Sequence, residues 1–415
     1  MTESSERTGR MRALLSASAT VTLATVAVNL LSYALVAIGT RTLGPERYAE
    51  LAALLGLLLV GYVPAATVQV VLARRVAAGE RGGLGQASLR TAVAVTVIGA
   101  VALPVLHLTL RISVPSLLFL VAALPAMTLG GAPMGAAQGL HLFGRLATTT
   151  TIIGAGRVGG AIAGLAAGGT AASAMAGMTT GAWLALFAAA AAVKGQAWRA
   201  IAAREGAQAR AATREVAHAT LTMLAMAAIM TADVLLAKRY LPAADAGHYG
   251  AGAVVTKVAI WLPYAVTMIA LPRLAVAGQR RAALRVSIIV LAGLGVLEVA
   301  GVLLLGDVLF PLAVGDQYRP VLGWLWLFAT LGAVLAIAQL IIMSRIAATD
   351  RWVAALLWTG LLAEIGTVGF LHGSIGTILT VATLTATAVA ASALLIPVRG
   401  KGKPGTNLDL GTLPT

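Results

Sequence analysis

Five charged side chains lie inside long apolar stretches of this sequence, where a charge needs a partner. They are Arg157, Asp233, Lys257, Glu298 and Glu364. A charge near the centre of a bilayer is costly, so such residues usually face water, a ligand or an opposite charge. The guanidinium of Arg157 stays protonated, and its planar set of donors matches the oxygens of a phosphate. These residues predict either an interior that binds anions and carries protons or a set of structural ion pairs.

The sequence leaves two interpretations open for each of the five charges. Arg157 either contacts a substrate diphosphate or pairs with an acidic residue on another helix. Asp233 and Lys257 lie at similar depth in adjacent stretches. They form a structural pair, or Lys257 meets substrate while Asp233 competes for it or binds a coupling proton. Glu298 and Glu364 either carry a coupling proton or are buried as hydrogen-bonded neutral acids.

Three further polar residues complete the candidate set. Asn29 and Gln69 lie in the first two apolar stretches, and each is either an interhelical hydrogen-bonding group or a ligand. Arg41 follows the first stretch. It either lies at the mouth of a cavity or binds lipid headgroups.

About twelve apolar stretches carry these residues, and each is long enough to cross the hydrocarbon core as a helix. With the N-terminus in the cytoplasm, most of the 30 Lys and Arg residues fall in inner loops, as the positive-inside rule requires. This predicts an all-α, multi-pass membrane protein with both termini cytoplasmic. The predicted spans are 13–38, 48–72, 88–110, 114–139, 146–167, 171–193, 215–237, 249–271, 284–306, 320–344, 352–371 and 374–397.

The composition agrees with this class. Hydrophobic residues make up 59% and charged residues 11%, and the mean hydropathy is +0.91, which excludes an ordinary soluble domain. The net charge of +15 lies in small groups in the predicted inner loops. We therefore interpret it as topology and contact with anionic lipid, with no nucleic-acid partner. The chain has no Cys, so thiol-based metal or redox chemistry is excluded.

The chain divides into two halves of six predicted spans. Because an even number of spans inserts each half the same way up, the halves would be parallel repeats. The pattern Pro64, Arg74 and Gly79 recurs as Pro263, Arg273 and Gly278 with the same spacing. The predicted parts are a cytoplasmic N-terminal segment 1–12, an N-lobe 13–193, a basic cytoplasmic linker 194–214, a C-lobe 215–397 and a disordered tail 398–415.

The fifth predicted span carries a glycine at every fourth position. Small residues at this spacing let two helix backbones approach closely. The stripe predicts either a static tight seam or a surface on which helices slide. Its members are Gly156, Gly160, Gly164 and Gly168.

Two segments resemble polysaccharide and O-antigen flippases of the multidrug/oligosaccharidyl-lipid/polysaccharide exporter superfamily. The first is RTLGPERYAEL, which follows a span with Asn29 and Tyr33. The second contains Asp233, the Ala-Gly-x-Tyr loop that ends at Tyr249, and Lys257. The resemblance implies two six-helix bundles that form a V around a central cavity open alternately to either face. Lipid II flippases are similar but usually carry two further spans, which we do not find.

The resemblance implies a flippase for polyprenyl-diphosphate-linked oligosaccharide in the bacterial plasma (inner) membrane, without catalytic residues or a cofactor. It also implies coupling to H⁺ or Na⁺, and contact with membrane lipids, polysaccharide polymerase and glycosyltransferases. The alternatives are a multidrug or small-solute antiporter of the same fold, a major-facilitator transporter and a membrane-embedded glycosyltransferase or polymerase. The inner loop ARRVAAGERGGLGQ does not match the usual major-facilitator pattern, and the enzyme class would need a large outer loop or an acidic metal motif.

Overall fold

A computed structural model describes most of the chain as helix. It covers residues 2–80, 82–193, 206–261 and 277–396, except 348, 349 and 351, and isolated positions between 263 and 274. The described residues contain no strand, so the all-α class is confirmed. The helices are α1 (Thr2–Ala77), α2 (Leu84–Leu110), α3 (Val114–Gly139), α4 (Phe143–Gly168), α5 (Ala171–Ala192), α6 (Gly206–Tyr240), α7 (Ala243–Trp261), α8 (Ala277–Val314), α9 (Leu325–Ala347), α10 (Trp352–Phe370) and α11 (Ile375–Leu395), with a 3₁₀ helix at Asp316–Trp324.

Ten segments of the described chain are long and apolar enough to cross a membrane. The first, Thr20–Ala77, contains most of the predicted span 13–38 and all of the predicted span 48–72. They are separated at Gly44, whose backbone is non-helical with φ 69° and ψ 169°. Pro45 follows, and a residue before proline is disfavoured in the helical region. The predicted eighth span is helical in α7 as far as Trp261. The ten apolar segments make the chain a multi-pass membrane protein.

Contacts divide the chain into two compact units. Unit 1 comprises Met1–Ala251, Asp307–Leu322 and His372–Ile375, and unit 2 comprises Gly252–Gly306, Gly323–Leu371 and Gly376–Thr415. The predicted lobes rest on internal duplication and remain a prediction. Of the predicted linker, residues 194–205 lie outside the described part, as does the predicted tail.

Unit 1 is held together by two glycine seams. In the α4–α5 seam, Gly160 approaches the carbonyl of Gly177, and Gly156 and Gly181 approach each other in the same way. A methyl group at any of these positions would overlap the facing backbone. The close approach predicted from the glycine stripe is therefore present. A second seam, which the sequence analysis missed, packs the small face of α3 against the second half of α1 through Gly131, Gly135 and Gly139.

Helix α6 also packs within unit 1. Ala212 and Val216 of α6 share a buried apolar cluster with Leu72 of α1 and Leu84 of α2. At the same end, Glu215 receives hydrogen bonds from Arg74 and Arg75. The start of α6 is therefore fixed to the end of α1 by both apolar packing and charge.

Unit 2 contains a buried ion pair near the ends of α9 and α11. Arg345 and Asp350 form this pair, and their side chains are 6% and 0% exposed. The Arg345 guanidinium also donates to the carbonyls of Ala393 at 2.5 Å and Ile396 at 2.7 Å. The last carbonyls of a helix have no partner within the helix, so Arg345 caps α11 while its charge is balanced by Asp350.

Candidate functional site

Arg157 lies near the middle of α4 and is half-buried. Its guanidinium carbon is 5.4 Å from the centroid of the Tyr62 ring, which belongs to the second half of α1. Across the described residues, no carboxylate lies within ion-pair distance of Arg157. The structural alternative from the sequence, a pair with an acidic residue, is therefore not seen in that part of the chain.

The packing of α4 sets the depth of Arg157. Gly154 lies against the side chain of Val28 in the first half of α1. Both helices run outward in the predicted topology, and three residues of helix advance about 4.5 Å. Arg157 is therefore level with about residue 31, between Asn29 and Tyr33.

Three half-buried polar side chains lie near the level of Arg157. Asn29 and Tyr33 lie one turn apart on the first half of α1, and Tyr62 lies on the second half. None of the three makes a side-chain hydrogen bond to another described residue. Gln69 differs, because its amide donates to Gln138 at 3.0 Å. We call Asn29, Tyr33, Tyr62 and Arg157 the Arg157 cluster.

The Arg157 cluster can bind an anion or a hydroxyl-rich group. It offers guanidinium N–H donors, two phenol groups and one amide, and it carries one positive charge and no negative charge. Arg157 and Asn29 are predicted from the sequence, whereas Tyr62 is not, and Tyr33 is predicted only as part of a motif. The available signal was that tyrosines are few in the chain (7 in total) and these two lie inside spans.

Asp233 has a partner that the sequence analysis did not predict. The hydroxyl of Tyr249 donates to Asp233 at 3.0 Å. Asp233 is 4% exposed and Tyr249 is fully buried. The Ala-Gly-x-Tyr segment is helical in α7 and is not a loop, and its Tyr is a structural partner of the intramembrane carboxylate. Pairing of Asp233 with Lys257, a half-buried residue of unit 2, remains a prediction.

The two glutamates of the candidate set both lie in unit 2. Glu364 of α10 is buried. Glu298 of α8 has both carboxylate oxygens enclosed, with no hydrogen-bond partner in the described structure. One turn earlier, Gly295 packs against Ala333 of α9, so Glu298 follows a close helix contact. A buried carboxyl group without a partner is costly, which makes Glu298 the stronger candidate for a proton carrier.

Arg41 belongs to a different part of unit 1. It donates to the carbonyl of Leu312. The neighbouring carbonyl of Thr40 accepts hydrogen bonds from Gln317 at 3.0 Å and from the Tyr318 hydroxyl at 3.2 Å. Because the helix breaks at Gly44, carbonyls at the end of the first span lack helical partners. Segment Asp307–Leu322 supplies those partners, and the predicted contacts of Arg41 with substrate or headgroups remain predictions.

The structure thus brings only part of the candidate set together. Asn29 and Arg157 lie at one level of unit 1, whereas Arg41 and Asp233 lie elsewhere in that unit. No group of His, Asp and Glu side chains suited to a metal ion occurs among the described residues.

Comparison with known sequences gave no match. No family model matches the chain, and no curated protein matches it.

Comparison with solved structures gave matches over most of the chain. An inward-facing multidrug-resistance transporter of the MATE family, within the MOP superfamily, matches with TM-score 0.68 and 15% identity over 88% of this chain and 92% of its own. The lipid II flippase MurJ in an inward closed conformation matches with TM-score 0.66 and 11% identity over 90% and 86%. A MOP-superfamily transporter from Pyrococcus furiosus, described as having a binding pocket of reverse polarity, matches with TM-score 0.58 and 13% identity over 91% and 92%. The chain therefore shares the fold of MOP-superfamily transporters along most of its length.

Proposed function

We propose that this protein moves polyprenyl-diphosphate-linked oligosaccharide from the inner to the outer leaflet of a bacterial plasma membrane, for cell-surface polysaccharide assembly. The observation that carries the proposal is Arg157, a cation at mid-membrane depth whose contact is an aromatic ring. The described part of the chain supplies no carboxylate to neutralise it. The likeness in fold to a lipid II flippase supports the same substrate class.

The chemistry of the Arg157 cluster suits such a substrate. A diphosphate loses its hydration when it passes the hydrocarbon core, and a guanidinium replaces water with directed, charge-assisted hydrogen bonds. Sugar hydroxyls need donors and acceptors, which Asn29, Tyr33 and Tyr62 offer. The lipid tail stays in the bilayer throughout, and no covalent bond changes, so this function needs no catalytic residue.

Multidrug or small-solute export is the second candidate function, and the likeness in fold to a multidrug-resistance transporter favours it. The charge of the Arg157 cluster argues against organic cations as cargo, because a lone positive charge repels them. The two functions are distinguished by the phenotype of a deletion strain. Loss of flipping leaves lipid-linked intermediate on the inner leaflet, whereas loss of drug export changes sensitivity to toxic compounds.

Removal of the Arg157 charge tests the flippase proposal. We expect Arg157→Ala to abolish surface polysaccharide in a deletion strain while the protein remains in the membrane at a normal amount. The matched control is Arg90→Ala, since Arg90 is exposed on α2 and its loss removes the same charge. Normal polymer from Arg157→Ala would overturn the substrate role of Arg157. Lys257→Ala, measured in the same strain, tests whether Lys257 is a second cationic contact of the substrate.

We also propose that Glu298 carries the coupling ion, a proton or Na⁺, that resets the transporter. Its enclosed carboxylate oxygens support this role, and Asp233 and Glu364 are the alternative carriers. Glu298→Gln keeps the shape of the side chain and removes its charge. We expect this variant to flip lipid in proteoliposomes at the same rate with and without an ion gradient. A gradient dependence equal to that of the wild type would assign coupling to another residue.

Partners of the protein follow from the same function. Glycosyltransferases must complete the lipid-linked glycan on the inner side before it is moved. A polysaccharide polymerase then consumes it on the outer side. Each of these partners is expected to act at a membrane surface rather than at the Arg157 cluster.

A further inference from the structure

We propose that Tyr62 is a positioning residue, which holds the Arg157 guanidinium in place by its ring while leaving the guanidinium charge available to substrate. The inference rests on the proposed function, since it concerns how the same site binds an anion. Its starting observation is the 5.4 Å separation between the Arg157 guanidinium carbon and the Tyr62 ring centroid. This distance lies within the range of an attractive cation–π contact.

An arginine without a carboxylate partner has a positioning problem. Its long side chain has many rotamers, and fixing one of them costs conformational entropy. A carboxylate would fix the side chain but would also neutralise it and occupy its N–H groups. The face of an aromatic ring also attracts the cation. Unlike a carboxylate, it does not accept two hydrogen bonds from the guanidinium N–H groups. The ring of Tyr62 therefore solves the problem in the way that an anion-binding site requires.

The backbone around both residues is closely packed, which makes the contact specific. Gly61 precedes Tyr62, and a methyl group on it would lie 2.6 Å from Leu124 of α3. This turn of α1 is therefore packed closely against α3. In α4, Gly154 lies one turn before Arg157 and packs closely against Val28. The two backbones are set by these glycine contacts, so only the side chains decide where the guanidinium lies.

The hydroxyl of Tyr62 has a separate role from its ring. It makes no hydrogen bond to any residue that the structure describes, and it lies beside a cation. A substrate oxygen bound to Arg157 can accept from this hydroxyl as well. We expect the ring to contribute most of the effect, because the ring is the part that contacts Arg157.

The test measures binding of two short probes to the full-length protein in lipid nanodiscs. The probes are farnesyl diphosphate and farnesol, which differ only in the diphosphate. Wild type and Tyr62→Phe are expected to bind the diphosphate with affinities within about twofold of each other. Tyr62→Leu is expected to weaken diphosphate binding by about three- to tenfold and to leave farnesol binding unchanged. Tyr62→Met, which also lacks a ring, replaces Tyr62→Leu if the leucine variant does not fold.

A double-mutant cycle with Arg157→Ala separates positioning from general packing. If Tyr62 acts through Arg157, Tyr62→Leu has no further effect on diphosphate affinity once Arg157→Ala is present. Additive losses, or equal losses from Tyr62→Phe and Tyr62→Leu, would overturn the positioning role and leave the proposed function standing. Unchanged preference for the diphosphate in Arg157→Ala alone would instead overturn the anion site, and with it the proposed function.

Discussion

Two arginines in the helices of this protein have opposite surroundings. Arg345 is 5% exposed, and its guanidinium contacts Asp350 and two backbone carbonyls at the end of α11. Arg157 is half-buried, and its described contact is the ring of Tyr62. Arg345 thus stabilises a helix end in unit 2, and its charge is balanced by Asp350. Arg157 in unit 1 keeps a charge that can bind a ligand.

The comparison shows why the partner matters more than the depth of a charge. Breaking a buried ion pair leaves one charge uncompensated, and this is strongly destabilising. A cation over an aromatic ring contributes much less to folding, but its charge stays available to a ligand. Loss of Arg345 should therefore mainly lower stability, whereas loss of Arg157 should mainly impair function.

The largest expected effect is on the stability of unit 2. Arg345→Ala leaves the Asp350 carboxylate buried without an opposite charge, although the Trp352 backbone N–H still donates to it, and we expect the free energy of unfolding to fall by about 3–5 kcal/mol. Arg157→Ala should lower it by about 1 kcal/mol or less. Denaturant titration of the purified protein in micelles measures both values. Equal losses from the two variants would contradict the distinction between them.

Removal of both partners sharpens this prediction. Replacement of a buried ion pair by apolar residues of similar volume is often close to neutral. The double variant Arg345→Met, Asp350→Leu should therefore recover about half or more of the stability lost in Arg345→Ala. A double variant as unstable as the single one would mean that Arg345 stabilises the protein mainly through the carbonyls of Ala393 and Ile396.

The smallest expected effect extends the comparison to uncharged amides. Gln138→Leu removes the partner of Gln69, so we expect a loss of about 0.6 kcal/mol, the average for interhelical hydrogen bonds in membranes. Asn29→Leu removes no hydrogen bond within the described structure, so it should cost less stability than Gln138→Leu. The same titration checks both variants. A larger loss of stability from Asn29→Leu than from Gln138→Leu would mean that Asn29 has a structural role.

The candidate site was only partly predictable. Arg157 stands out because an arginine inside an apolar stretch is rare, and rarity is visible in the sequence. Tyr62 does not stand out, because a tyrosine in a membrane helix has many roles and its contact with Arg157 joins residues 95 positions apart. Likewise, the pairing of Arg345 with Asp350 near the end of α11 was not predicted.

The sequence alone determined that this is an all-α membrane protein with spans near the predicted positions. Span length and hydropathy are local properties of the chain, so tertiary contacts are not needed to detect them. The glycine stripe of α4 likewise predicted a close helix approach. Three contacts depend on tertiary packing: the approach of α5 to the glycine stripe, the hydrogen bond of Tyr249 to Asp233, and the contact of Arg157 with the Tyr62 ring. The reason is physical, since the partner of a polar group depends on which helices pack together, and many packings satisfy the same apolar pattern.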